Sequence, residues 1–173
     1  MPRTSRRQIF LIGLFLILVI VFMTMFRMGV VSGISMEPTY VDGQLVLVRR
    51  RNLFHTALHR GDVVLVRNGR DVIIKRIFRL PGEEIDTTFP DVLTPTLMRY
   101  QTDHLLKDYY EQQTTQTPQG IVTHYFVPKN FLVVIGDNLP VSEDSRVFGP
   151  VALDDVLGTV VAAPPAPYAS GSH

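Results

Sequence analysis

Val72-Ile73-Ile74-Lys75-Arg76-Ile77-Phe78, closed by Leu80-Pro81-Gly82, is the stretch whose reading decides the fold. β-Branched residues and an aromatic fill it, and the Pro-Gly pair ends it in a turn, so it reads as a strand. Alternation puts Ile73, Lys75 and Ile77 on one face and Val72, Ile74 and Arg76 on the other. Lys75 therefore stands between two isoleucines. Burial there disfavours the ammonium and can lower an amine's pKa by several units from about 10.4. Such an amine accepts a proton near neutral pH, a use of lysine that arginine does not share. The competing local reading is an edge-strand lysine whose amine reaches out to water.

Working outward, similar short runs recur. Gln44–Val48 and Asp62–Val66 each follow an Asp-Gly or Gly-Asp turn signal. Phe131–Ile135 is opened by Pro128-Lys129-Asn130 and closed by Gly136-Asp137-Asn138, and a fifth run lies at Val156–Val161. Regular strands with turn punctuation, and no helical periodicity in the body of the chain, predict a mainly β fold. The expected form is a barrel-like antiparallel domain behind one N-terminal transmembrane helix. Thr87–His124 is rich in Thr, Gln and Tyr and holds Pro90, Pro95 and Pro118. It reads as an excursion of hairpins and loop, with Leu97–Tyr110 as a short helix candidate.

The N-terminal segment sets the location. Ile9–Phe26 is an uncharged run of eighteen residues, extendable through Arg27 to Val31 if the arginine snorkels. A secretory signal has an apolar region of about 7–15 residues, whereas a spanning helix needs about 20. The run reads as an uncleaved anchor; a signal peptide cut near Val31-Ser32-Gly33 is the alternative. Arg3, Arg6 and Arg7 precede it and place the N-terminus on the cytoplasmic side. The expected divisions are a basic tail at 1–8, an anchor at 9–31, an extracytoplasmic domain at 32–161 and a disordered Pro-rich tail at 162–173.

Composition narrows the function. Across 173 residues the formal charge is +1, which gives no reason to expect a nucleic-acid partner. Arg49, Arg50 and Arg51 are the one dense basic run, better read as a solvated turn or lipid-facing edge than as a phosphate track. The absence of cysteine removes disulfides, thiolate zinc sites and thiol nucleophiles.

Ser35, in Ser35-Met36-Glu37-Pro38-Thr39, lies nine residues beyond Phe26. Gly33 allows a tight approach there and Pro38 biases Glu37 to an extended backbone. A serine on such a turn can present its hydroxyl outward while its own N–H faces an incoming carbonyl, half of an oxyanion hole. Read alone, a serine before a Met-x-Pro turn is more often a turn residue. Gly136 to Arg146 is a polar loop leaving a strand, in which Asp144 can pair with Arg146 and Ser142 or Ser145 can orient a neighbouring amine. Its plain reading is a surface loop with an ordinary ion pair. His55, His59, His104, His124 and His173 are scattered outside every constrained motif, although a Ser-His-Asp arrangement assembled by folding stays open. A hydroxyl and a desolvated amine, by contrast, make a nucleophile and general base without histidine.

Taken together and in order, these segments resemble the type I signal peptidases, membrane-anchored serine endopeptidases that remove signal peptides. Ser35–Thr39 matches the nucleophile box, Gly61-Asp62-Val63-Val64 the next strand box, and Ile74–Ile77 with Leu80-Pro81-Gly82 the lysine box. Gly136-Asp137-Asn138 with Ser142, Asp144, Ser145, Arg146 and Gly149 matches the last. The resemblance implies a Ser35–Lys75 dyad near the outer membrane surface, with no cofactor and no metal. It implies that Ser142 orients the Lys75 amine, that Asp144 and Arg146 form a supporting pair, and that Gly33 and Ser35 occupy the oxyanion positions. Some relatives carry a Ser or Thr where this chain has Gly33, so a backbone or other donor must serve instead. Leu139-Pro140-Val141 and Glu83-Glu84 also depart from the usual pattern. The short chain and single anchor resemble Gram-positive bacterial members. The implied partners are preprotein signal peptides with small residues at positions −3 and −1, the lipid bilayer and the secretion translocon.

Three other readings make distinct predictions. A self-cleaving regulator with Ser-Lys chemistry would cut its own chain and would not need an anchor. A non-enzymatic assembly factor, or a protein processing one dedicated substrate, would lack general peptidase activity. A plain anchored binding module would tolerate Lys75→Ala.

Overall fold

The computed structural model describes residues 5–51, 57–85 and 109–163. Helix α1 (Arg6–Met25) opens the chain, and its start is set by a capping box. Ser5 Oγ accepts from the Arg7 N–H at 3.2 Å, and Gln8 Oε1 accepts from the Ser5 N–H at 2.9 Å. Arg6 and Arg7, expected in a tail, therefore form the first turn. The helix has 20 residues, none buried, and its most apolar window has a mean hydropathy of 2.7. At 1.5 Å per residue it spans about 30 Å, enough to cross a membrane.

The apolar segment expected to run to Val31 stops being helical at Met25. Phe26–Val30 is strand β1, paired antiparallel with β2 (Leu45–Arg50), Phe26 opposite Arg49 and Val30 opposite Leu45. Arg27 and Gly29 interrupt the apolar run, and β2 offers a ladder of partners, so the backbone groups bond across to it instead of along the chain.

The remaining strands are β3 (Val63–Asn68), β4 (Asp71–Arg79), β5 (Glu84–Ile85), β6 (Glu111–Thr117), β7 (Gly120–Phe126), β8 (Phe131–Ile135), β9 (Val151–Ala152) and β10 (Val156–Ala162). A short helix α2 (Ser145–Phe148) follows β8. Seven strands form one sheet in the order β1-β2-β10-β3-β4-β8-β9, with every pairing antiparallel. The mainly antiparallel β class read from the sequence is the class observed. In the Thr87–His124 excursion, the described part is largely a β6–β7 hairpin joined by β5 into a second sheet. The helix candidate at Leu97–Tyr110 lies almost wholly outside the described residues.

The large sheet carries apolar residues on both faces. Val64, Val66, Ile77, Leu132, Val134, Val151 and Val156 pack on one side. Val31, Met36, Val46, Val48, Val63, Leu65 and Ile74 pack on the other. Alternating residues of β3 and β4 divide between the two clusters, and the first four residues of β3 are all buried. Two-sided burial explains why Val63–Val66 reads as a continuous apolar run without alternation. Each fully buried Val or Ile stabilises the domain by roughly 1.5–3 kcal/mol. Between the two cores, β4 carries Lys75 opposite Val64.

Candidate active site

Lys75 is only 3% exposed. Its Nζ donates to Ser35 Oγ across 2.8 Å, joining residues 40 apart in the chain. Burial pushes the Lys75 amine below its ordinary value of 10.5. The charges of Asp144, Glu143 and Asp137 push it back up and Arg146 pushes it down, but burial prevails.

Ser35 is half-buried on the loop between β1 and β2. The fully buried Met36 plugs this loop into the core, and the Met36 carbonyl accepts from the Tyr40 N–H at 2.9 Å. The Glu37–Pro38 peptide bond is cis. Gly33 has φ +87° and donates its N–H to Asp42 Oδ1 at 2.7 Å. That bond commits the Gly33 N–H to Asp42. Among the described residues the Ser35 N–H has no acceptor.

The loop after β8 closes the other side. Asp144 is fully buried and Arg146 is 5% exposed. Arg146 Nε donates to Asp144 Oδ1 at 2.7 Å and its Nη2 to Oδ2 at 2.9 Å. Nη2 also reaches the Leu139 carbonyl at 2.8 Å and the Ser142 carbonyl at 3.2 Å. Asp144 accepts in addition from the Gly136 N–H at 3.0 Å and caps α2 through the Arg146 N–H. Ser145 Oγ accepts from the Val134 N–H at 2.9 Å. The ion pair thus ties the loop to β8.

Ser142 does not make the expected bond to Lys75. Its Oγ is buried with no hydrogen-bond partner. The hydroxyl is pressed against Gly136, at the place where a Cβ would sit on any other residue, while the Lys75 amine is engaged by Ser35.

Three features of the site escape the sequence reading. Arg76, next to Lys75 but on the opposite face, holds Asp137 through two bonds of 2.8 and 2.6 Å. Burial pushes the Asp137 carboxyl up, but Arg76 and Thr39 bonds and the Arg76 and Lys75 charges outweigh it and leave it below 3.8. Asn138 donates its N–H to the Ser35 carbonyl at 3.0 Å and its Nδ2 to the Ile34 carbonyl at 3.1 Å. Gly136 is the third: a Cβ there would lie 2.5 Å from the Ser35 carbonyl oxygen. Gly-Asp-Asn signals a turn, but nothing in it reveals contact with a residue about a hundred positions earlier.

A β scaffold holding a serine hydroxyl against a buried amine is an arrangement for acyl transfer without histidine. The family described as signal peptidase, peptidase S26, matches residues 5–163. Signal peptidase I V of Bacillus subtilis (strain 168) is 32% identical over 142 residues, covering 75% of this chain and 80% of its own length. Signal peptidase IB of Staphylococcus aureus is 31% identical over 139 residues, covering 75% and 73%. The crystal structure of a signal peptidase I from Enterococcus faecalis V583 aligns with a TM-score of 0.38 at 24% identity, covering 61% of this chain and 98% of that one. The chain belongs to the signal peptidase family, peptidase S26.

Proposed function

We propose that this protein is a membrane-anchored serine endopeptidase that removes signal peptides from exported preproteins, with Ser35 as nucleophile and Lys75 as general base. The observation that carries this reading is the 2.8 Å contact between the Ser35 hydroxyl and an amine that burial keeps inclined to the neutral form. Family membership and relatives called signal peptidase I supply the substrate class.

With the amine neutral, the same contact lets the hydroxyl donate to the Lys75 lone pair. Lys75 takes the Ser35 proton as Oγ bonds to the scissile carbonyl carbon, and the carbonyl electron pair moves onto oxygen. The unpaired Ser35 N–H is placed to donate to that oxyanion. Collapse breaks the C–N bond, and the Lys75 ammonium gives its proton to the leaving amine. Water, deprotonated by Lys75, then adds to the ester, and the proton returns to Ser35 Oγ as the acid leaves. Asp144, whose charge favours the ammonium, steadies Lys75 in its protonated phase, with Arg146 holding that carboxylate. Ser142, whose buried hydroxyl has no partner in this structure, is the residue assigned to orient the amine.

Helix α1 serves as the anchor, with Arg6 and Arg7 cytoplasmic and the β domain outside. Because β1 starts at Phe26, directly after the helix, the active site is held near the bilayer where a signal peptide's cleavage region emerges. Substrates carry small residues at −3 and −1, and the secretion translocon is the partner that delivers them. Detergent-solubilised protein incubated with an Ala-x-Ala preprotein tests the reading. Cleavage after the second alanine, lost in Ser35→Ala and Lys75→Ala, is expected; an intact wild type that cleaves nothing sinks it.

A further inference from the structure

We propose that Asn138 is a positioning residue that aims the Ser35 N–H at the oxyanion, an inference that rests on the serine-peptidase reading above. Asn138 grips both peptide units that flank the nucleophile. Its side-chain Nδ2 holds the Ile34 carbonyl at 3.1 Å, and its backbone N–H holds the Ser35 carbonyl at 3.0 Å. In a trans peptide the C=O and N–H point in opposite directions across one rigid plane. Fixing the Ile34 carbonyl toward Asn138 therefore fixes the Ser35 N–H of the same plane away from it. That N–H has no acceptor among the described residues, while the Gly33 N–H is held by Asp42. Fixing the Ser35 carbonyl sets the next plane and, with it, the position of the serine Cα between the two.

The clamp is itself anchored. The Asn138 carbonyl accepts from the Val141 and Ser142 N–H groups at 3.2 and 3.1 Å, a turn of the loop that Arg146 grips at Leu139 and Ser142. Gly136 and Asp137, just before Asn138, are tied to Asp144 and Arg76. The nucleophile loop is thus registered against the part of the molecule that holds the lysine strand. The Ile34 carbonyl also accepts from the Glu37 N–H at 3.2 Å, a bond inside the nucleophile loop, so Asn138 Nδ2 is what ties this plane to the loop after β8. Loss of the Nδ2 donor leaves the plane held only within its own loop and loosens the aim of the oxyanion donor, without touching Lys75 or the substrate.

Asn138→Ala and Asn138→Asp test this against wild type, with kcat and KM measured on the Ala-x-Ala preprotein across pH and with thermal midpoints alongside. Aspartate is nearly isosteric and can keep a turn, but its ionised carboxylate cannot donate to Ile34. Both variants are expected to lose kcat by at least about tenfold, toward the roughly 100-fold that full loss of one oxyanion donor costs. KM should stay within about twofold, and in Asn138→Ala, which adds no charge, the acid limb of the pH profile should not move. Wild-type kcat in Asn138→Asp overturns the inference, as does a loss carried by KM, a displaced acid limb in Asn138→Ala or a melting point far below wild type. A wild type that cleaves alongside an equally active Asn138→Asp sinks only the role of Asn138. A wild type that cleaves nothing sinks the peptidase reading itself.

Discussion

Lys75 Nζ meets Ser35 Oγ at 2.8 Å while its backbone sits opposite Val64, a residue with no exposed surface. The β3–β4 pairing thus holds the lysine in place, and the loop between β1 and β2 brings the serine to it. Burial and contact act together, because an exposed amine at that distance would be an ammonium and no base.

Activity should therefore rise with pH through the depressed Lys75 value, which lies below 10.5, and fall as the amine protonates on the acid side. Lys75→Arg places a cation that does not deprotonate in the same strand and should lose about 10²–10⁴ in kcat, the usual contribution of a positioned base. A kcat–pH series on both proteins checks this. An acid limb that persists unchanged in Lys75→Arg would assign the titration to another group.

The same shift has a stability counterpart. Between the depressed folded value and 10.5 the unfolded chain binds more protons at residue 75 than the folded one, so stability should increase with pH across that window. Lys75→Met keeps the apolar stem without the amine and should remove that rise. Urea unfolding of both proteins at several pH values measures it. Equal slopes would show that Lys75 is not the group responsible.

The β-branched runs made the large sheet legible, because a strand between two apolar cores needs residues like Val63–Val66 and Ile73–Ile77 whatever their partners. Strand β1 was hidden, since Phe26–Val30 continues an apolar run and becomes a strand only because β2 lies beside it. In the site, residue chemistry pointed to Ser35, Lys75, Asp144 and Arg146. The commitment of the Gly33 N–H to Asp42 and the unpartnered Ser142 hydroxyl depend on how each loop folds on itself, and the Asn138 clamp on how the two loops meet. No local pattern encodes that meeting.

Asp144→Asn should be markedly destabilising. It leaves the Arg146 guanidinium 5% exposed and without its counter-charge, and removal of one partner from such a buried pair costs about 3–5 kcal/mol. The double change Asp144→Asn with Arg146→Met should recover part of that loss, because no uncompensated charge remains. Denaturant midpoints for the two variants distinguish the cases. A double variant no more stable than the single one would show that the loop needs the bonds of Arg146 to Leu139 and Ser142 more than charge balance.

Asp137 and Arg76 form a half-exposed pair, with side chains 15% and 34% exposed. The Asp137 carboxyl is held below 3.8, so its stabilising contribution is present above that value and lost as pH falls through the folded value. Arg76→Gln should weaken this dependence and leave the protein easier to unfold only above about pH 4, where the wild-type pair is charged. Acid-unfolding curves that coincide at all pH values would contradict it.

Gly136→Ala is the sharpest steric test of the loop junction. The added methyl would lie 2.5 Å from the Ser35 carbonyl oxygen and 2.6 Å from Ser142 Cβ, and neither a backbone carbonyl nor a packed Cβ can swing aside as a flexible side-chain end can. Overpacking of this kind costs roughly 1–3 kcal/mol. The larger effect should fall on kcat, because the atom pushed away belongs to the nucleophile's own residue, and misplacement by about 1 Å can cost about 100-fold. Gly29→Ala is the control: it lies in strand β1 of the sheet, and its Cβ would meet Val46 Cγ2 at 3.4 Å, an ordinary contact. Near-normal kcat in Gly29→Ala with a steep loss in Gly136→Ala locates the sensitivity at the Ser35 junction. Equal losses in both would mean that the sheet as a whole, not this junction, limits activity.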